Sequence, residues 1–140
     1  MESNTPDHTL ADILSREDLF FIVDTFYKQV RADEVLGPIF NSHIQDWPDH
    51  LEKITDFWNV QLFGEKGYRG NPIVAHQQVD EQNNHSITPE HFGTWLRYWM
   101  NTINSNFSGK NTELLKERTR KMQTVLYLKI FENRQRLGVN

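Results

Sequence analysis

The chain has 140 residues, 37% apolar and 24% charged, with a formal net charge of −4 and no cysteine. That length suits one domain with one core. The mildly acidic balance, with no basic block, argues against nucleic acid as a partner, and the missing thiols exclude disulfides, thiolate catalysis and cysteine-bound metal clusters.

Residues 1–14 read as a loose N-terminal lead-in, and "MESNTPDHTLADIL" has neither the basic nor the apolar region of a signal peptide. No apolar run reaches the roughly 20 residues of a membrane span, so a cytoplasmic chain without a membrane partner is expected. Ser15 with Asp18 forms a capping-box pattern, and Leu19, Val23, Phe26, Tyr27 and Val30 predict a helix to about Arg31. "LGPIF" (36–40) interrupts it, because Gly37 and Pro38 end or turn a helix. After the connector "SHIQDW", Pro48 suits the first turn of a helix to about Phe63, with His50, Ile54, Phe57 and Trp58 on one stripe. "GEKGYRGNP" (64–72) reads as a loop, Ile73 to His76 as no more than one turn, and "QQVDEQNNHS" as irregular. The whole of 64–87 is therefore expected to be a long, mostly unstructured and functional loop. Thr88-Pro89-Glu90 opens a helix with Phe92, Trp95, Leu96 and Trp99 on one face. "SNFSGKN" breaks it, and a last helix runs from about Thr112 to Arg136 with Leu115, Met122, Val125, Leu126 and Ile130 inward. No β-alternation, repeat or linker is seen. The reading is an all-α domain of four substantial helices over residues 15–137, with 138–140 as a C-terminal tail.

Several inward positions carry polar atoms that are costly to desolvate. Tyr27 is either a core tyrosine bonded to a carbonyl or a donor aimed into a cavity. His50 is either a satisfied core histidine or a ligand or gate. Trp95 is either plain core or an indole N–H in search of an acceptor. His76 follows the Gly/Pro loop and belongs to no stripe, so it is either a surface group or a ligand. His8, His43, His85 and His91 are most simply solvated; protonated His91 would be disfavoured in the first turn of its helix.

Four stretches go further together: "FYKQVRADEVLGPIF" (26–40), "HLEKITDFWNVQLFG" (50–64), "YRGNPIVAH" (68–76) and "TPEHFGTWL" (88–96). From about Leu19 to Phe131 the chain resembles the truncated haemoglobins, and within them the third group. The resemblance implies a 2-over-2 helical sandwich around haem b. His76 matches the proximal iron ligand, and Tyr27, His50 and Trp95 match the distal polar residues that stabilise a bound ligand. His50 is also a candidate sixth ligand. Phe40 matches the phenylalanine on the haem face, and Lys53 a position that reaches a propionate. Ile54 and Phe57, with Trp58, supply the apolar wall, and Tyr68 of the matching YxGxP stretch joins the cofactor-binding set. Haem iron needs one strong axial ligand, which neutral imidazole provides. Tyrosine and tryptophan donate to a polarised ligand without competing for the metal. The segment between His76 and Thr88 is about five residues longer than usual for the family, at "DEQNN".

The resemblance thus implies a globin binding O2, NO or CO, with a distal pocket suited to O2/NO or peroxide chemistry and an unidentified reductase as partner. An O2 storage, delivery or sensing module is the alternative. A haem-free helical interaction protein is the remote one.

Overall fold

The computed structural model describes residues 10–139. Among them lie six helices and no strand: α1 (Arg16–Ala32), α2 (Leu36–His43), α3 (Trp47–Phe63), α4 (Pro72–Gln82), α5 (Pro89–Asn106) and α6 (Lys110–Leu137). α1 packs on α3 and α5 on α6; the two pairs meet where α1 crosses α5 and α3 crosses α6. This is the two-over-two arrangement, with the short α2 against α1 and the short α4 against α6. No helix among the described residues is long and apolar enough to cross a membrane.

Local chemistry sets most boundaries. The Ser15 side chain accepts from the Asp18 amide at the start of α1, while the Asp18 carboxylate accepts from Leu14 N at 2.9 Å. Asp46, Asn71 and Thr88 cap α3, α4 and α5 in the same way, each followed by a proline in the first turn, where its missing N–H costs nothing.

The core is an aromatic block. Phe26 is fully buried and meets Tyr27, Trp95 and Trp99 edge-on, with ring centroids 4.9, 5.0 and 5.0 Å away. Trp99 stacks between Trp58 at 5.2 Å and Trp95 at 5.7 Å. Its buried Nε1–H donates to Thr119 Oγ1 at 2.9 Å, and that hydroxyl donates onward to the Leu115 carbonyl at 2.8 Å. α1, α3 and α5 thus share one interior, and α6 satisfies its polar atom.

The structure corrects four expectations. Residues 1–9 of the expected lead-in lie outside the described residues, but 10–14 are not loose. Ile13 is fully buried, and the Asp12 carboxylate accepts from Asn111 N and Thr112 N, both at 2.9 Å, and from Thr112 Oγ1 at 2.8 Å. Asp12 so provides the cap for α6 that its own Gly109 lacks. Second, "LGPIF" does not end helical structure: it forms α2. Asp33 Oδ2 accepts from Val35 N and Leu36 N, and Pro38 lies in the first turn, where it is tolerated. Gly37 is required there, because a Cβ would stand 2.6 Å from the Arg31 carbonyl oxygen. Third, residues 64–87 are not mostly unstructured, since 72–82 form α4. Fourth, Val125 faces outward at 42% exposure. The inward face of α6 runs through Leu115, Thr119, Leu126, Ile130 and Asn133, and Val125 falls beside it. Of the expected tail, Gly138 takes a left-handed φ of 76° and Val139 N donates to the Arg134 carbonyl at 2.8 Å, closing α6; Asn140 lies outside the described residues.

Replacing Asp12 with alanine removes a helix cap supplied across the whole chain. The loss should be about 1–2 kcal/mol, read as a lower midpoint in denaturant unfolding; an unchanged midpoint would show the cap to be idle.

Candidate functional site

Between α1–α3 on one side and α4–α6 on the other lies a cleft of about 940 Å³, counting its open mouth. Its walls are almost wholly apolar, as those of small-molecule sites are. Ile54, Phe57 and Trp58 of α3 form one wall and Val79, Leu126 and Ile130 of α4 and α6 another. Phe40 of α2 and Tyr68 of the 64–71 loop line it as well, with the Tyr68 ring edge-on to Phe57 at 5.2 Å. Burial pushes the Tyr68 phenol up, so it stays protonated.

Few polar groups reach this space. His76 stands one turn into α4, with Nδ1 2.7 Å from the Pro72 carbonyl oxygen. A carbonyl only accepts, so Nδ1 carries the proton and Nε2 is left as the basic nitrogen. Burial holds the imidazole below its ordinary pKa, and therefore neutral, although the Pro72 bond works the other way. Among the described residues no three histidine or carboxylate groups converge to hold a bare metal ion. A porphyrin supplies four donors itself, so a single imidazole of fixed tautomer is the donor set that haem needs.

Tyr27 and Trp95 line the cleft from α1 and α5, held side by side against Phe26. His50 is not in the lining. It stands beside Tyr27, its Nε2 3.4 Å from the phenolic oxygen. Burial drives the His50 pKa down to about 4, and His43, Lys53 and His76 add to that against a small opposing effect of Asp49. His50 is thus an uncharged partner for Tyr27, whose own phenol burial also pushes up. Lys53 does not line the cleft either: its exposed ammonium pairs with Asp49 at 3.0 Å. Eight of the nine residues expected at the site therefore gather at or next to the cleft, and Lys53 sits outside it.

Two features went unread in the sequence. His91, taken for a solvated side chain, lines the cleft and completes the cap of α5: its Nδ1 accepts from Thr88 N at 2.8 Å. The signal was Thr88-x-x-His91, a capping box with histidine in the usual place of glutamate. The second is Asp80. It is fully buried, and Arg134 of α6 donates to both its oxygens, at 2.9 and 2.5 Å. Ile87 N donates to it at 3.1 Å, His85 Nδ1 lies 3.2 Å away, and Arg134 also donates to the Ile87 carbonyl at 2.6 Å. This knot fixes the far end of the His76 helix and the turn after it, where Asn84 and His85 both take left-handed φ values of 59° and 58°.

No family profile matches the sequence. The group 3 truncated haemoglobin ctb of Campylobacter jejuni is 28% identical over 124 residues, which is 83% of this chain and 94% of that one. A crystal structure of group III truncated haemoglobin from the same organism superposes with a TM-score of 0.70 at 27% identity, covering 84% of this chain and 91% of that one. In fold and in sequence the chain is therefore similar to the truncated haemoglobins. Within them, both comparisons point to the third group.

Breaking the Asp80 knot should be costly. Arg134→Met strands a buried carboxylate, with an expected loss of about 3–5 kcal/mol at pH 7. Burial, the largest single influence, would raise the Asp80 carboxyl, but the Arg134 guanidinium, the Ile87 amide and His85 together outweigh it and hold the group below the ordinary carboxylate range. A carboxyl lowered by folding stabilises above its unfolded value, near 4, and that stability is lost as pH falls through the folded value. Asp80→Asn should therefore lower stability at pH 7 and flatten its dependence on pH below about 4. Denaturant titrations at pH 7 and 3 check both; equal losses at the two values would remove Asp80 from the acid response.

Proposed function

We propose that the cleft holds haem b with His76 as the proximal iron ligand, and that the protein binds O2 and other diatomic ligands on the opposite face. The observation carrying this reading is the His76 tautomer: Nδ1–H is committed to Pro72, and Nε2 is left for an apolar cleft that Tyr27 and Trp95 also line. Haem, when bound there, supplies an iron that takes O2, NO or CO when ferrous and meets peroxide when ferric, with an unidentified reductase cycling it.

The chain's own residues do the rest. The Pro72 carbonyl orients the imidazole and raises its basicity. Tyr27 and Trp95 would supply donors to a ligand that becomes partly negative as it binds, between apolar walls, where such bonds are strong. His50 holds Tyr27 in place. For His50 to reach the metal as a sixth ligand, its ring must leave the phenol. Phe40, Ile54, Phe57 and Tyr68 press on a flat apolar cofactor. Lys53 meets a propionate only by leaving Asp49, and the exposed pair is weak enough to yield. Storage of O2 and turnover of NO or peroxide both fit this arrangement; polar groups in line with the ligand favour chemistry over simple carriage.

His76→Gly should lose haem or bind it weakly, and added imidazole should restore the ferrous spectrum. Full haem content with an unchanged spectrum would transfer the proximal role to another residue. Tyr27→Phe removes only a hydroxyl. A bond to a partly charged ligand contributes about 1.5–3 kcal/mol, so O2 should leave roughly 10- to 100-fold faster. Carbon monoxide is far less polar when bound and should respond much less. An O2 off-rate within about twofold of the parent, well below one decade per 1.4 kcal/mol, would make Tyr27 a plain core residue.

A further inference from the structure

We infer from the cluster of Tyr27, His50 and Trp47 that Tyr27 is also a one-electron donor to the haem site after peroxide has oxidised it, with His50 taking the phenolic proton and Trp47 linking the pair to the surface. The inference rests on the reading that the cleft holds haem.

A phenol surrenders an electron readily only if a base takes its proton in the same step, because the protonated radical cation is an exceedingly strong acid. Buried Tyr27 cannot ionise alone, yet it has such a base beside it: His50 Nε2, 3.4 Å from its oxygen, accepts when the ring carries its proton on Nδ1 and no ligand claims the Tyr27 hydroxyl. The Trp47 ring then packs against both, 5.3 Å from Tyr27 and 5.5 Å from His50, and it is only half-buried. The Arg31 guanidinium lies over it at 4.4 Å. That cation disfavours positive charge on Trp47, so the electron vacancy rests on Tyr27 as a neutral radical and crosses Trp47 only when an outside donor refills it.

A competing route is present and is a dead end. Trp95, Trp99 and Trp58 stack inward from the cleft, but Trp99 is fully buried and Trp58 nearly so. The Trp99 N–H faces the Thr119 hydroxyl, which is no base. An oxidised indole there would keep its charge in an apolar core, at high cost and with no exit.

The balance is simple. Hydrogen peroxide becomes two waters by accepting two electrons and two protons. Tyr27 gives one electron inward while its O–H proton passes to His50. A phenolic donor at the surface then loses an electron through Trp47 and a proton to solvent, and His50 returns its proton to Tyr27. Two such rounds oxidise two donors per peroxide.

The test mixes haem-loaded ferric protein with one equivalent of hydrogen peroxide, freezes it and records the electron paramagnetic resonance spectrum. A tyrosyl signal is expected. It should vanish in Tyr27→Phe, fall several-fold in His50→Leu and persist in Tyr98→Phe, the control at a tyrosine outside the cleft lining. In Trp47→Phe the signal should form but decay several-fold more slowly when guaiacol is added. Absorbance spectra of each variant establish that haem is in place. Failure of the wild-type chain to take up haem overturns the reading of the cleft, and this inference with it. A haem-loaded chain that gives no radical, gives a tryptophanyl signal, or keeps its tyrosyl signal in Tyr27→Phe overturns the inference alone.

Discussion

A cleft walled by apolar side chains tends to close, and what keeps this one open is the block formed by Phe26, Trp58, Trp95 and Trp99. Rings of this size each bury about 150–250 Å², which at the usual area coefficient is at most roughly 4–6 kcal/mol apiece. α1, α3 and α5 are therefore bound to one another through a rigid interior that does not use the space beside it. The rings have few rotamers, and the edge-on and stacked contacts among them leave no room to slide inward. Tyr27 and Trp95 inherit their positions from Phe26, so the polar face of the cleft is a by-product of how the core is packed.

The opposite wall is secured by other means. α4 makes little aromatic contact, follows a loop with three glycines, and presses on α6 alone among the principal helix pairs. Its hold comes from charge: the buried Asp80 carboxylate, gripped by Arg134 and the Ile87 amide. Geometry of this kind tolerates little displacement, since a buried carboxylate separated from its partner is severely penalised. One side of the site is thus fixed by shape and the other by electrostatics.

That division explains what could be read from the sequence. The helix stripes of α1, α3 and α5 repeat at helical spacing and open with recognisable caps, so the three helices carrying Tyr27, His50 and Trp95 were legible. α4 was not, because it exposes most of its surface and has no apolar stripe; Asn71-Pro72 was its only announcement. α2 was hidden by Gly37 and Pro38, which look like breakers unless one knows that α1 crowds the glycine and that the proline falls in a first turn. Asp12 and Asp80 were invisible for a shared reason: each bonds to residues remote in sequence, and nothing local reveals the partner. His91 was a matter of chemistry instead, a histidine standing where a capping glutamate is usual. The placement of Lys53 rested on family likeness, and its neighbour Asp49 competes for it.

The Asp12 cap has a consequence for the order in which the molecule is made. Its partners, Asn111 and Thr112, lie 99 and 100 positions further along. During synthesis the amino-terminal segment leaves the ribosome first, and α6 is the final helix to appear. Until then Ile13 has no settled place in the interior. Joining the two ends costs on the order of 4 kcal/mol in chain entropy beyond a constant, and such distant contacts form late. The fold is in this sense a ring fastened last at its clasp: a nascent chain that holds α1 to α5 but not yet α6 has neither the arginine that grips the His76 helix nor the seat for Ile13.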